Sequence, residues 1–158
     1  MSDIEGEAVQ GNSERVWETN EFQSRKGIDM KRTWPIIGVS NVQVSSEWYR
    51  TLLNAANNHP GDSTFDQVLD EDGTVLLCFH HWGDHGHPPL MSPHNGTPGN
   101  GLLLFFCVSD FDSALRSANT LTEQLAEQPR VNPNTRALEF SLRDPDGYYV
   151  TVSAFQPA

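Results

Sequence analysis

The sequence predicts an α+β fold built from two copies of one βαβββ-type unit: a strand, a helix and then two or three further strands. Two pairs of matching segments carry the prediction. Residues 37–42, an apolar run that ends in Ser-Asn-Val, are matched 69 positions later by residues 106–111. The Asp-x-Asp-Gly turn at residues 70–73 is matched 74 positions later by residues 144–147. Because each unit leaves one sheet face uncovered, the two are expected to form one curved, mostly antiparallel sheet with helices outside and a concave cleft.

The first repeat opens with a strand and a helix. Residues 34–40 are predicted to be the strand, and Asn41 can cap the helix because its side-chain oxygen accepts a bond from a first-turn backbone N–H. Apolar residues then recur near helical spacing over residues 44–55. Residues 65–69 and 74–80 are predicted strands, joined by a turn whose Asp-Gly pair indicates a hairpin.

The second repeat follows the same order. Residues 102–108 are predicted to be a strand, and Asp110 can cap the helix that follows. Pro129 is expected to break that helix, because proline has no backbone N–H and clashes with the preceding turn. Residues 137–143 alternate apolar and polar side chains, and residues 148–155 form the last predicted strand.

The domain boundaries follow from these elements. Residues 1–30 are polar and without a sustained period, so they are predicted to be an N-terminal tail. Residues 31–158 are predicted to be one domain, with repeat one at about 33–82 and repeat two at about 102–156. The connector, residues 83–101, is dense in Gly, Pro and His, and loops of this length often line sites.

Bulk composition excludes some classes of partner. A formal charge of −11 argues against nucleic-acid binding and would favour a cationic ligand, although acidic surfaces also serve solubility alone. No apolar run reaches the roughly 20 residues that span a bilayer, so no membrane partner is predicted. Two cysteines and an N-terminus without the features of a signal peptide lead us to expect a cytoplasmic protein.

The chain resembles the vicinal oxygen chelate superfamily, which includes glyoxalases, bleomycin resistance proteins and extradiol dioxygenases. The resemblance is carried by Val-Ser-Asn at residues 39–41, Ser-Glu-Trp-Tyr-Arg at 46–50, Val-Ser-Asp-Phe-Asp at 108–112 and Arg-Asp-Pro-Asp-Gly-Tyr at 143–148. It covers about residues 33–156. Such a resemblance says more about the fold than about the reaction.

The resemblance implies four positions at which catalytic members hold a divalent metal. In this sequence they are occupied by Trp34, Leu77, Leu103 and Thr151. None of these is a His, Glu, Asp or Cys side chain, and a metal site requires several such donors. No resident cofactor is therefore expected, and a divalent metal is the alternative.

A cluster of histidines supports that alternative. His80, His81, His85, His87 and His94 lie within 15 residues, and imidazole binds Zn, Ni and Fe. One interpretation is that His81, His85 and His87 bind a metal. The other is that a polar loop merely exposes its histidines to solvent. The sequence assigns no catalytic residue.

Strand alternation predicts which side chains face the cleft. Large aromatic groups there would pack a ligand, while a few polar groups would orient it; the competing interpretation is that the aromatic groups only fill space between the repeats. The predicted ligand-binding residues are Trp34, Phe79, His81, Phe105, Glu139, Tyr149 and Thr151.

Two functions follow from this pattern. The first is a metal-free binder of an aromatic or cationic small molecule in the cleft. The alternative is a metal-dependent lyase, isomerase or dioxygenase of the same superfamily that uses the histidine-rich loop. A third class, a structural or partner-binding protein, has no positive feature beyond the tail. The resemblance also implies a homodimer.

Overall fold

The computed structural model describes residues 32–84, 87–100 and 102–155. The tail predicted for residues 1–30 lies outside these ranges. The elements all belong to one compact unit, Thr33–Ala158. In chain order they are β1 (Ile36–Val39), α1 (Val42–Leu53), β2 (Ala56–Asn57), β3 (Phe65–Leu69), β4 (Val75–His81), a single 3₁₀ turn (Pro88–Leu90), β5 (Leu104–Val108), α2 (Phe111–Leu121), β6 (Glu127–Val131), β7 (Leu138–Arg143) and β8 (Tyr149–Ala154).

The strands are hydrogen-bonded as two four-stranded sheets, one for each repeat. Their orders are β1-β4-β3-β2 and β5-β8-β7-β6. The opening strand of each repeat runs parallel to the closing strand, whereas the other pairs are antiparallel. The predicted α+β class and the twofold repeat are confirmed.

Both helices begin at the residues that the sequence predicts as caps. The Asn41 side chain accepts a 3.0 Å bond from the Val44 backbone N–H, and Asp110 accepts a 2.8 Å bond from the Ser113 N–H. Helix α1 ends at Asn54, which adopts the left-handed conformation with φ 50° that commonly terminates helices. Within the described ranges, no helix is both long and apolar enough to cross a bilayer.

The two repeats share a single hydrophobic core. Helices α1 and α2 pack against each other. The Tyr49 ring is fully buried and lies 4.8 Å from the Trp48 ring, 5.2 Å from Phe79 and 6.1 Å from Phe106, which belongs to the other repeat. Such ring pairs stabilise a core beyond the area they bury.

A β-bulge in β4 overturns part of the predicted alternation. Val68 pairs with Leu77, whereas Leu69 pairs with Val75, so Leu76 is an extra residue in the ladder. One extra residue turns every later side chain to the opposite face. The prediction that Leu77, Phe79 and His81 face the cleft is therefore wrong. Leu77 and Phe79 are fully buried in the core, and His81 lies on the same side of β4, paired with the buried Val39.

Strands β2 and β6 are the third strands that the βαβββ-type repeat allows for, but the sequence pattern does not locate them. Strand β6 contains Pro129, which was expected only to break the preceding helix. That helix ends at Leu121. Proline is tolerated in β6 because this strand lies at the edge of its sheet, where one side of the backbone needs no partner.

Candidate functional site

The candidate site is the open face, by which we mean the face of the two sheets opposite α1 and α2. In repeat two the side chains on it are as predicted. Phe105 of β5 pairs with Thr151 of β8, and Thr151 pairs in turn with Ser141 of the next strand, β7. Glu139 lies on the same face, opposite Ser153. Tyr149 lies there too, with its ring 4.7 Å from the Arg143 guanidinium.

Polar side chains of repeat two are fixed by hydrogen bonds to one another. The Ser141 and Thr151 hydroxyl oxygens are 3.0 Å apart. The Glu139 carboxylate accepts bonds of 2.9 Å from the Asn132 amide and 3.3 Å from the Thr135 hydroxyl. These contacts hold the acceptor and hydroxyl groups in set orientations, which is what a specific ligand site requires.

In repeat one the bulge brings different residues to the open face. Ile36 pairs with Cys78, and Cys78 pairs with Gln67, which matches the row Phe105, Thr151 and Ser141 of repeat two. Cys78 thus takes the place at which the sequence pattern put Leu77. His80 replaces the predicted Phe79 and His81 on this face. Periodicity could not find Cys78 and His80, because a bulge leaves no mark in the pattern.

The Cys78 thiol is buried and neutral. Burial raises its pKa, even though the Gln67 side-chain amide donates a 3.6 Å bond to the sulfur that acts the other way. Gln67 in turn accepts a 3.1 Å bond from the Asn58 amide. A thiol must lose its proton to bind a metal, so this environment disfavours Cys78 as a ligand.

Large apolar side chains are exposed beside these polar rows. Trp34 is 59% exposed, Leu103 52%, Ile36 45% and Phe105 44%. Ile36 and Phe105 belong to β1 and β5, and Trp34 and Leu103 closely precede these strands. These exposed apolar residues occupy matching positions of the two repeats, and a set of this kind indicates a binding surface more often than isolated exposed residues do.

The histidine-rich connector forms local contacts. The His81 ring nitrogen lies 2.9 Å from the Asp84 carboxylate, and the His87 ring packs 5.1 Å from the buried His80 ring. His85 lies outside the described residues. In the described part of the chain, no three His, Cys, Asp or Glu side chains are close enough to hold a metal ion.

The connector also forms a small pocket against β1. Its volume is about 270 Å³, and Trp82, Leu102 and Tyr148 are among the residues that line it. The Trp82 ring lies over Gly38, where a Cβ would come within 2.7 Å of it. The Tyr148 hydroxyl donates a 2.9 Å bond to the Gly38 carbonyl, and burial raises the pKa of Tyr148 to about 12.

Known structures with the same architecture include three that are informative. A protein of unknown function from Agrobacterium tumefaciens str. C58 is 21% identical, with a TM-score of 0.63 over 83% of this chain and 98% of that one. A glyoxalase/bleomycin resistance protein from Catenulispora acidiphila DSM 44928 is 19% identical, with a TM-score of 0.54 over 79% and 98%. A virulence protein from Salmonella typhimurium is 17% identical, with a TM-score of 0.59 over 82% and 100%.

No family model matches the sequence, and none of the curated proteins matches it. At the identities of the solved structures, similarity establishes the fold alone. The chain has the glyoxalase/bleomycin resistance fold, as its sequence predicts.

Proposed function

We propose that this chain binds a flat aromatic or cationic small molecule on its open face, without a resident divalent metal. The observation that carries the proposal is the set of exposed apolar side chains Trp34, Ile36, Leu103 and Phe105 beside the fixed hydroxyl groups of Ser141 and Thr151. An apolar surface with a few oriented polar groups is the usual composition of a small-molecule site.

The apolar groups supply most of the affinity in this proposal. Covering the exposed parts of Trp34 and Phe105 removes apolar area from water at about 25 cal/mol per Å². A flat ligand gains further by stacking on or against the edge of an indole or phenyl ring. A cationic ligand is also attracted to an indole face and to the negative net charge of the chain.

The polar groups supply orientation. Glu139 is mostly buried and already bonded to Asn132 and Thr135, so its carboxylate meets a ligand in a fixed position. The hydroxyls of Ser141 and Thr151 can each donate or accept, which suits a hydroxyl, carbonyl or amine on the ligand.

The absence of a resident metal is proposed from the chemistry of the donor positions. With the bulge taken into account, these positions hold Trp34, Cys78, Leu103 and Thr151, and burial favours the protonated form of the only strong donor, Cys78. The alternative of a metal-dependent lyase, isomerase or dioxygenase would need donors from elsewhere, such as the histidine-rich connector.

Metal analysis separates these two functions. The full-length protein is purified without a histidine tag and without chelators, and its metal content is measured by mass spectrometry. We expect well below one equivalent of any divalent metal, and no gain in melting temperature with Zn²⁺, Ni²⁺ or Fe²⁺. About one equivalent per chain, retained through dialysis, would contradict the proposal and favour the enzyme.

A matched pair of variants tests the position of the site. Trp34→Ala is expected to weaken the best ligand of an aromatic-compound screen about tenfold or more, whereas Val44→Ala is expected to leave its affinity unchanged. Val44 is a suitable control because it is 51% exposed but lies on α1, away from the open face. Equal affinity in the two variants, measured by titration calorimetry, would place the ligand elsewhere.

The homodimer implied by the resemblance stays a prediction, which sedimentation velocity tests directly. A monomer in this measurement would contradict the homodimer and show that no second copy completes the open face.

A further inference from the structure

A second cavity lies at the junction of the two repeats. Its volume is about 880 Å³, which is within the range of pockets that hold drug-sized ligands. Repeat one contributes the end of α1 and the β3–β4 turn, and repeat two contributes β5 and the start of α2. We call this cavity the seam pocket. Although Phe105 and Cys107 border both sites, the seam pocket extends around β5 to the helical side, away from Ser141, Thr151 and Glu139.

The walls of the seam pocket divide into an apolar part and an acidic part. Leu53, Leu76, Phe106 and Phe155 form apolar wall, and Phe155 is 61% exposed. These side chains can cover the hydrocarbon body of a ligand. Because they come from both repeats, their spacing depends on how the repeats pack.

The acidic part consists of Asp70 and Glu71 in the β3–β4 turn and Asp110 at the start of α2. The described lining residues include no Lys, Arg or His. The Asp110 carboxylate accepts the 2.8 Å capping bond from the Ser113 backbone N–H. Carboxylates contributed by both repeats favour a positively charged occupant.

The corresponding junction on the other side of the domain is bridged by hydrogen bonds. There the Asp146 carboxylate accepts a 2.9 Å bond from the Ser40 N–H, a 2.6 Å bond from the Ser40 hydroxyl and a 3.4 Å bond from the Ser45 hydroxyl. Ala114 stands where the repeat would place Ser45, and alanine has no hydroxyl to donate. The two junctions therefore differ in how their facing side chains are bonded, and the seam pocket lies at the junction without the Asp146 bridge.

From this geometry we infer that the seam pocket is a second binding site, for an organic cation with an aromatic or aliphatic body. The ammonium group lies between the β3–β4 turn and Asp110, and the apolar body packs on Leu76, Phe106 and Phe155. The inference goes beyond binding on the open face, because it assigns a separate cavity and specifies a preference for positively charged ligands.

Cys107 provides a readout, because it is exposed and lines the seam pocket, whereas Cys78 is buried. Because Cys107 also pairs with Ser153 on the open face, the variants below are needed to assign any protection to one of the two sites. The full-length protein is alkylated with iodoacetamide, and the rate at Cys107 is followed by mass spectrometry. The probes are tryptamine, which is cationic, its neutral alcohol tryptophol, and the anion indole-3-acetate. Tryptamine is expected to slow alkylation of Cys107 at lower concentration than tryptophol, and indole-3-acetate to have the weakest effect.

Charge-removing variants test the acidic walls. Glu71→Gln with Asp110→Asn is expected to raise the half-protecting concentration of tryptamine up to about tenfold. Asparagine keeps the cap, as Asn41 does for α1. The matched control, Asp112→Asn with Glu123→Gln, removes two charges outside the lining. It is expected to change the half-protecting concentration of tryptamine less than about twofold. If the double variant does not fold, Glu71→Gln alone serves, because Glu71 is exposed.

Three results would overturn the inference. They are equal protection by tryptamine and tryptophol, equal effects of the two pairs of substitutions, and protection lost in Trp34→Ala but kept in the acidic variants. The last result would instead support binding on the open face. Conversely, protection that survives Trp34→Ala and weakens in the acidic variants supports the seam pocket whatever the outcome of the open-face screen.

Discussion

The Tyr49 hydroxyl donates a 2.9 Å hydrogen bond to the Asp144 carboxylate, and both groups are buried. The bond joins α1 of repeat one to the β7–β8 turn of repeat two. Burial raises the pKa of Asp144, although bonds from the Tyr148 N–H and from Tyr49 act against that rise. Burial also raises the pKa of Tyr49 well above its usual value, and the Asp144 charge adds to the effect.

Removing this bond should weaken the contact between the repeats. Tyr49→Phe keeps the ring in the core but leaves the buried carboxylate with one fewer donor, which costs about 1–3 kcal/mol. The free energy of unfolding in urea measures the loss. Tyr149→Phe deletes the same hydroxyl at a half-buried position and is expected to cost less than about 0.5 kcal/mol. Equal costs would show that the bond to Asp144 adds nothing.

Asp66 should make stability depend on pH. Burial by itself would raise its pKa, but bonds from Asn57, Ser46 and the backbone N–H groups of His59 and Gln67 together lower it. The ionised form is thus favoured by folding. Its contribution is present above the unfolded pKa of about 3.9 and is lost as pH falls through the lower folded value.

The variant Asp66→Asn tests this dependence. The difference in unfolding free energy between wild type and Asp66→Asn should be largest above about pH 5 and shrink below about pH 4. Asp144→Asn is the control of opposite sign: since the Asp144 pKa is raised, the advantage of wild type over that variant should fall as pH rises. Urea titrations from acidic to neutral pH would refute the assignment if both differences moved the same way.

The bulge in β4 predicts that one residue can be deleted without loss of the fold. Removing Leu76 lets Val75 and Leu77 pair with Leu69 and Val68 in regular order, at a cost of about 1–2 kcal/mol for lost burial. Removing Val150 from the regular ladder of β8 would turn the later side chains to the wrong face. Circular dichroism and cooperative unfolding should be retained only by the first deletion.

Gly38 should tolerate no side chain while Trp82 lies over it. Gly38→Ala places a Cβ within 2.7 Å of the indole, so the ring must move, at a cost of about 1–3 kcal/mol. In a Trp82→Ala background the same substitution should cost little. A double-mutant cycle on thermal unfolding measures the coupling, and additive effects would rule out this contact as the cause.

The parts of the fold that depend on local chemistry could be predicted from the sequence. The Asn41 and Asp110 caps are examples, because a cap is formed within three residues of chain. So is β3, whose predicted bounds, residues 65–69, match the structure. The open-face positions of Phe105, Glu139, Tyr149 and Thr151 also follow from simple alternation, because β7 and β8 pair without a bulge.

The parts of the fold that depend on pairing between distant segments could not be predicted from the sequence. Phe79 was assigned to the wrong face because the extra residue in β4 is defined by its partners in β3, not by its own pattern. Strand β6 was missed since Pro129 is unfavourable in a central strand, and only the sheet order shows that it lies at an edge. The seam pocket was missed because its walls come from both repeats.

The position of Pro129 has a consequence for how copies of this chain can meet. Strand β6 is exposed along its whole length and closes one side of its sheet. A strand of a second molecule would have to pair with β6 to extend this sheet. Such pairing is disfavoured by the irregular β6–β7 ladder, by the missing amide donor of Pro129 and by the charged side chains of Glu127 and Arg130. The β6 edge of repeat two therefore disfavours edge-to-edge aggregation of the sheet.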